Sequence, residues 1–263
     1  MKKKNILIID DSALMRRVLS DIIDTDERFI VCDVASNGLE AYDKITLNPK
    51  LYDVILLDIN MPKMNGIEFM EEINRLKLKL TVIIVSTIAV EGAAETIRLL
   101  ELGAFDFVTK PNSFSEAKEN TFQDKVLRCL ACAAGFSEQE EHSKRRREIP
   151  QTPKIARDET TPVISAKDLV VRKPHKAVGM GASKLVARTC STGGPKALQQ
   201  VVPRLPKNMD APMIIVQHMP AGFTETLANR LNELSTVTVK EAVDGELLQK
   251  ELCISQREVP SSG

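Results

Sequence analysis

The chain has 263 residues, more than a single domain usually holds, which predicts two domains with separate cores. Its 36 basic and 36 acidic side chains cancel, which excludes a global field that would recruit nucleic acid or an anionic membrane, so partners have to be recognised locally. Five cysteines are odd in number and without rhythm, and the initial MKKK runs into a stretch too short for a signal peptide or membrane span. A reduced cytoplasm with no membrane insertion is the expected setting.

From Asn5 to about Phe136, short apolar runs alternate with amphipathic stretches. NILIID, FIVCDVA, DVILLDI, TVIIVS and DFVTK are rich in Ile and Val and read as strands, each followed by helical periodicity. Five such units predict an α/β fold with a doubly wound, five-stranded parallel sheet. Cys129 and Cys132 form a CxxC within a helical stretch, but no second cysteine or histidine pair stands near to complete a zinc site.

The texture changes over residues 137–176, where 17 of 40 residues are charged, four are proline and none is aromatic. That composition cannot bury enough apolar surface to offset its ordering entropy, and a charged flexible linker is expected. The KRRR cluster at Lys144 to Arg147 reads as its solvated face.

From residue 178 the rhythm resumes. KLVARTC leads to a helix from Pro195, PMIIVQH to a helix from about Gly222, and VTVKEA reads as a third strand. After it, ELCISQREVPSSG shows no pattern, so a partial α/β domain over 178–263 is expected.

Ligands of a parallel sheet gather at the carboxyl ends of its strands. Asp10 and Asp11 end the first strand, Asp58 the third, and Lys110 the fifth ahead of Pro111. Converging carboxylates raise one another's proton affinity unless a cation is shared, and magnesium, a hard ion that takes oxygen ligands, suits them. Asp58 is then placed to attack phosphorus, with Lys110 holding a phosphoryl oxygen.

Taken in order, IIDDS, LLDINMPKMNG, VSTIAVEG and DFVTKP resemble the receiver domain of two-component response regulators across residues 4–130. The resemblance implies phosphorylation of Asp58 by a histidine kinase and magnesium held by Asp10, Asp11, Asp58 and the backbone carbonyl of Asn60. It also implies a hydroxyl at Ser86, or at neighbouring Thr87, that follows the phosphate, an aromatic switch at Phe107, and Lys110 as the family lysine. Gly66 closes the turn after the third strand, where positive φ is expected.

Ser191 stands in ARTCSTGGP between a strand-like run and a helix whose first turn holds Pro195. Gly193 and Gly194 permit a sharp turn that presents Ser191 to free backbone N–H groups. That geometry suits acyl transfer, and equally anion binding or capping by Ser191 or Thr192. His218 ends the adjacent strand, within reach of the serine proton.

STGGPKAL with IIVQHMPAGFTETLANRL resembles the chemotaxis protein-glutamate methylesterase family, which also carries an amino-terminal receiver and a linker. The resemblance implies Ser191 as nucleophile, His218 as general base, and methylated glutamates of chemoreceptors as substrate, with glutamine deamidation in some relatives. It further implies a receiver that covers the site until Asp58 is phosphorylated.

Three features depart from the pattern. Arg188 and Thr189 replace Ile and Gly in a strand expected to be buried, where an unpaired charge costs several kcal/mol. GMGAS is a partial echo that makes Ser183 a competitor without the following TGGP. The triad aspartate implied by the family lies in a later GMGxDG-type segment that the chain does not contain; Asp210 and Asp244 are the acids left to nominate, Asp210 before its strand. A C-terminally truncated, impaired esterase is therefore expected, losing up to about 10⁴ in rate. The alternative is a non-enzymatic phospho-accepting response regulator with a defunct effector domain.

Overall fold

The structure, a computed structural model, describes residues 2–86, 90–111, 120–136, 184–220, 222–246 and 252–255. The first unit runs β1 (Lys4–Ile9), α1 (Ala13–Asp24), β2 (Phe29–Ala35), α2 (Gly38–Leu47), β3 (Val54–Asp58), α3 (Gly66–Arg75), β4 (Val82–Ser86), α4 (Val90–Glu101), β5 (Asp106–Thr109) and α5 (Asn120–Ala133). Its five strands lie parallel in the order β2-β1-β3-β4-β5. The expected α/β sheet is present.

Alternation along the strands divides the core into two layers. Ile6, Ile8, Leu56 and Val85 pack against Leu19 and Ile22 of α1 and Val126 and Leu130 of α5. Leu7, Ile9, Leu57 and Ile84 face the other way, against Ile45 of α2, Phe69 of α3 and Ile97 of α4. Each such side chain, wholly removed from water, is worth ~1.5–3 kcal/mol, which explains why the strands read as unbroken apolar runs.

The helices start where the strands end, and the caps are local. Ser12 accepts the Met15 N–H to open α1, Asn37 the Glu40 N–H to open α2, and Asn65 forms a reciprocal box with Glu68 at α3. Gly66 does not take the positive φ expected of it; Lys63 takes the left-handed conformation in that turn, at φ 67°. Gly66 is required for close approach instead, because a Cβ would stand 2.6 Å from the backbone oxygen of Asp58.

The second unit comprises β6 (Val186–Cys190), α6 (Gly194–Val201), a 3-10 turn at Val202–Arg204, β7 (Met213–Gln217), α7 (Phe223–Leu234), β8 (Val239–Glu241) and β9 (Leu252–Ser255). All four strands are parallel, in the order β6-β7-β9-β8. Two expectations fail. LCIS within ELCISQREVPSSG is not patternless: it forms β9, the interior strand between β7 and β8, and its short run hides the usual signal. Arg188 is not buried either, because β6 is an edge strand whose first four residues are exposed. The linker at 137–176, Ser183 and Thr87 lie outside the described residues.

Helix α4 packs on both α6 and α7. The apolar layer beneath α4 continues through Leu198, Ile215, Phe223 and Leu227, so the two units share one core across their interface.

Candidate functional site

The acidic pocket is assembled by strand register. Ile9 pairs with Leu57, so Asp10 and Asp58 follow on adjacent strands and meet at the carboxyl edge. Both are buried. Lys110, just past β5, places its Nζ 2.8 Å from Asp10 Oδ2 and 2.8 Å from Asp58 Oδ2. Exposed Asp11 completes a set of three carboxylates that can each offer an oxygen within 4.8 Å of the others.

Electrostatics in this pocket are balanced rather than one-sided. Burial pushes the Asp58 carboxyl up, Lys110 pulls it back, and Asp10 adds an upward push, leaving it above its ordinary value. Burial lowers the Lys110 ammonium, but the charge of Asp58 and the contact with Asp10 outweigh it and hold the proton more tightly than usual. A lone ammonium shared by two carboxylates leaves the all-oxygen cluster suited to a hard divalent cation.

Ser86 ends β4, buried, with its hydroxyl accepting from Thr96 at 3.4 Å and its carbonyl accepting the Lys110 N–H at 2.6 Å. Asn60 lies in an exposed bend two residues after Asp58. Sequence reasoning missed Arg16, whose guanidinium donates to the backbone oxygens of Asp10 at 2.6 Å and Asp11 at 3.1 Å. An arginine in an amphipathic first turn carries no signal of that contact.

The second cluster is built by the same device. Cys190 and Gln217 pair in register at the ends of β6 and β7, so Ser191 and His218 emerge side by side. Gly193 takes φ 76° at the N-cap of α6, Pro195 occupies the first turn, and the Gly194 N–H closes the turn onto the Ser191 carbonyl at 2.8 Å. Ser191 and His218 line one cavity of about 100 Å³ together with Thr192 and Gln217. Its opposite wall is Asp106 to Thr109 of β5 with Lys125, Arg128 and Cys129 of α5. Among the described residues no carboxylate hydrogen-bonds the His218 ring; Asp210 and Asp244 are both exposed, Asp210 before β7 at the opposite edge of the sheet.

The first unit grips this turn at several points. Asp106 accepts the Gly193 N–H at 2.6 Å. Burial pushes the Asp106 carboxyl up to about 6, against the pull of the Gly193 and Phe107 N–H groups. Phe107 stacks on Phe223 of α7 with ring centroids 5.1 Å apart and planes 7° from parallel. Lys196 donates to the Gly103 carbonyl at 2.9 Å beyond the end of α4, and Arg230 of α7 pairs with Glu101.

Residues 6–121 match the response regulator receiver domain family, and residues 186–255 match the CheB methylesterase family. Over 251 residues the chain is 39% identical to the protein-glutamate methylesterase/protein-glutamine glutaminase of Treponema denticola, covering 95% of this chain and 67% of that protein. The chain belongs to the protein-glutamate methylesterase family. Another member, the protein of the same description from Bacillus subtilis, is 41% identical over 244 residues, covering 92% of this chain and 63% of the relative. The chain thus spans slightly less than two thirds of that relative's length. The response regulator domain of Thermotoga maritima CheB, a solved structure, is 41% identical over 50% of this chain and 94% of its own, with a TM-score of 0.42. The two matched regions of this methylesterase family member coincide with the acidic pocket and with the Ser191 turn.

Proposed function

We propose that this chain is a phosphorylation-regulated protein-glutamate methylesterase of chemotaxis signalling, acting in the cytoplasm on methylated chemoreceptors. It carries a receiver over 4–130, a linker over 137–176 and a catalytic domain over 178–263. The observation that carries this reading is the shared cavity: Ser191 and His218 form one wall and β5 of the receiver forms the other. At about 100 Å³ it is smaller than the ~300–1,000 Å³ of a working ligand pocket, which supports a site narrowed by the receiver, with Ser191 and His218 themselves still exposed at its mouth.

In the receiver, an Asp58 carboxylate oxygen attacks the phosphorus of a phosphohistidine on the kinase, forming the acyl phosphate as the phosphorus–nitrogen bond breaks. Asp10, Asp11, Asp58 and the Asn60 carbonyl would hold magnesium, which when bound neutralises charge on the phosphoryl oxygens. Lys110, already 2.8 Å from Asp58, is placed to follow one of those oxygens. Ser86 supplies a hydroxyl at the same edge, and Phe107 couples the pocket to α7 through Phe223.

At the catalytic turn, Ser191 Oγ attacks the ester carbonyl carbon while His218 takes the serine proton. Methoxide leaves and takes that proton as methanol. Water then attacks the acyl-enzyme, losing a proton to His218, and the glutamate carboxylate is released as Ser191 is restored. Deamidation of glutamine follows the same path with ammonia as the leaving group. Methanol release from methylated receptor, lost in Ser191→Ala and raised by a small phosphodonor with magnesium, tests the reading; release unchanged in Ser191→Ala refutes it.

A further inference from the structure

Gln217 is the last residue of β7 and is only 1% exposed. Its Nε2 donates to the backbone carbonyl of Ser191 at 3.3 Å and to that of His218 at 3.3 Å. One carboxamide therefore ties together the backbones of the two residues whose side chains share the cavity. The other end of the same carboxamide is unsatisfied: Oε1 is buried with no hydrogen-bond partner among the described residues. It lies against Gly194, where a Cβ would stand 2.1 Å from it.

A buried acceptor without a donor costs free energy that an apolar side chain of similar shape would avoid. Leucine or methionine would fill the end of β7 without that cost. What an apolar side chain cannot do is donate two hydrogen bonds at once, to the turn after β6 and to the turn after β7. The Ser191 carbonyl also receives the Gly194 N–H at 2.8 Å, and the His218 N–H reaches the Cys190 carbonyl at 3.4 Å, so the bridge completes a fixed ring of backbone contacts.

We propose that Gln217 is a positioning residue: its carboxamide clamps the carbonyls of Ser191 and His218 and so sets the approach of nucleophile to base, while Gly194 is glycine because Oε1 occupies its Cβ space. The proposal rests on the assignment of Ser191 as nucleophile and His218 as base. Proton transfer needs a heavy-atom separation of ~2.6–3.2 Å, and a misplacement of ~1 Å costs about 100-fold in rate.

The test uses the full chain, with a small phosphodonor and magnesium present so that the receiver is released, and a small phosphonofluoridate that labels an activated serine, with Ser191→Ala as blank. Gln217→Leu is expected to label about 100-fold more slowly than wild type while melting within a few degrees of it. Gln217→Glu places a carboxylate against two carbonyls; its labelling, normalised to wild type at each pH, is expected to recover as the pH falls and the acid regains a proton to donate. Wild-type labelling by Gln217→Leu overturns the clamp. Absence of labelling in wild type itself refutes the nucleophile assignment instead, and the clamp is then judged by the backbone carbonyl ¹³C shifts of Ser191 and His218. Both are expected to move in Gln217→Leu, and two unmoved carbonyls overturn it.

Discussion

Asp106, the first residue of the receiver's β5, accepts the Gly193 N–H at 2.6 Å, two residues after Ser191. The receiver thus sets a carboxylate on the N-terminal turn of α6, where free N–H groups favour an anion. The product of the proposed esterase activity would also be a carboxylate, so the receiver sets a group of that chemistry beside the Ser191 turn. Burial nevertheless makes this carboxylate easier to protonate, at about 6 rather than the ordinary 3.8.

That difference has a definite sign. A group that binds its proton more tightly folded than unfolded contributes stability that is fully present below pH 3.8 and lost as the pH rises through about 6. Asp106→Asn keeps an acceptor for Gly193 but does not titrate. Thermal melting of the two proteins from pH 4 to 7 should show the variant gaining on wild type by up to ~3 kcal/mol. A difference that does not change with pH would contradict the assignment.

Phe107 and Phe223 form one apolar contact of the docking. Phe223 is 1% exposed, and Phe223→Ala should cost ~3–5 kcal/mol in denaturant unfolding. A double-mutant cycle with Phe107→Ala should return ~0.5–1.5 kcal/mol of coupling for the stacked pair. If phosphorylation releases the receiver, that coupling should vanish with phosphodonor and magnesium present.

Lys110 neutralises a pocket that otherwise repels itself. Lys110→Met leaves Asp10 and Asp58 buried without their ammonium and should destabilise the receiver by ~3–5 kcal/mol in metal-free buffer. Magnesium should restore more of the lost melting temperature in this variant than it adds to wild type, because it supplies the missing positive charge. Equal responses to magnesium in both proteins would place the cation elsewhere.

Gly66 is tested by its contact with the backbone of Asp58, the proposed phosphoacceptor. Gly66→Ala should cost ~1–3 kcal/mol and slow acyl phosphate formation at Asp58, since the added Cβ meets the Asp58 oxygen at 2.6 Å. Urea melts and a phosphoprotein gel read both effects.

The receiver was legible because its central strands β1, β3 and β4 are buried on both faces and its polar site residues fall at strand ends, so DVILLDI and DFVTKP carry fold and site together. The Ser191 turn was legible through Gly193, Gly194 and Pro195, whose backbone preferences mark a strand-to-helix corner. What lay hidden depends on neighbours remote in sequence. Arg188 looks misplaced until β6 is seen to be an edge, LCIS looks like a tail until β7 and β8 flank it, and Asp106 looks like an ordinary strand residue until Gly193 reaches it. Gln217 gave no signal, since one amide in IIVQH says nothing about two carbonyls above it.

Under the proposed function, phosphorylation of Asp58 frees the Ser191 cavity from the receiver wall. Methanol release from methylated receptor should rise when phosphodonor and magnesium are added to wild type, and show no rise in Asp58→Asn. An equal rate with and without phosphodonor, or a rise that persists in Asp58→Asn, would contradict the account.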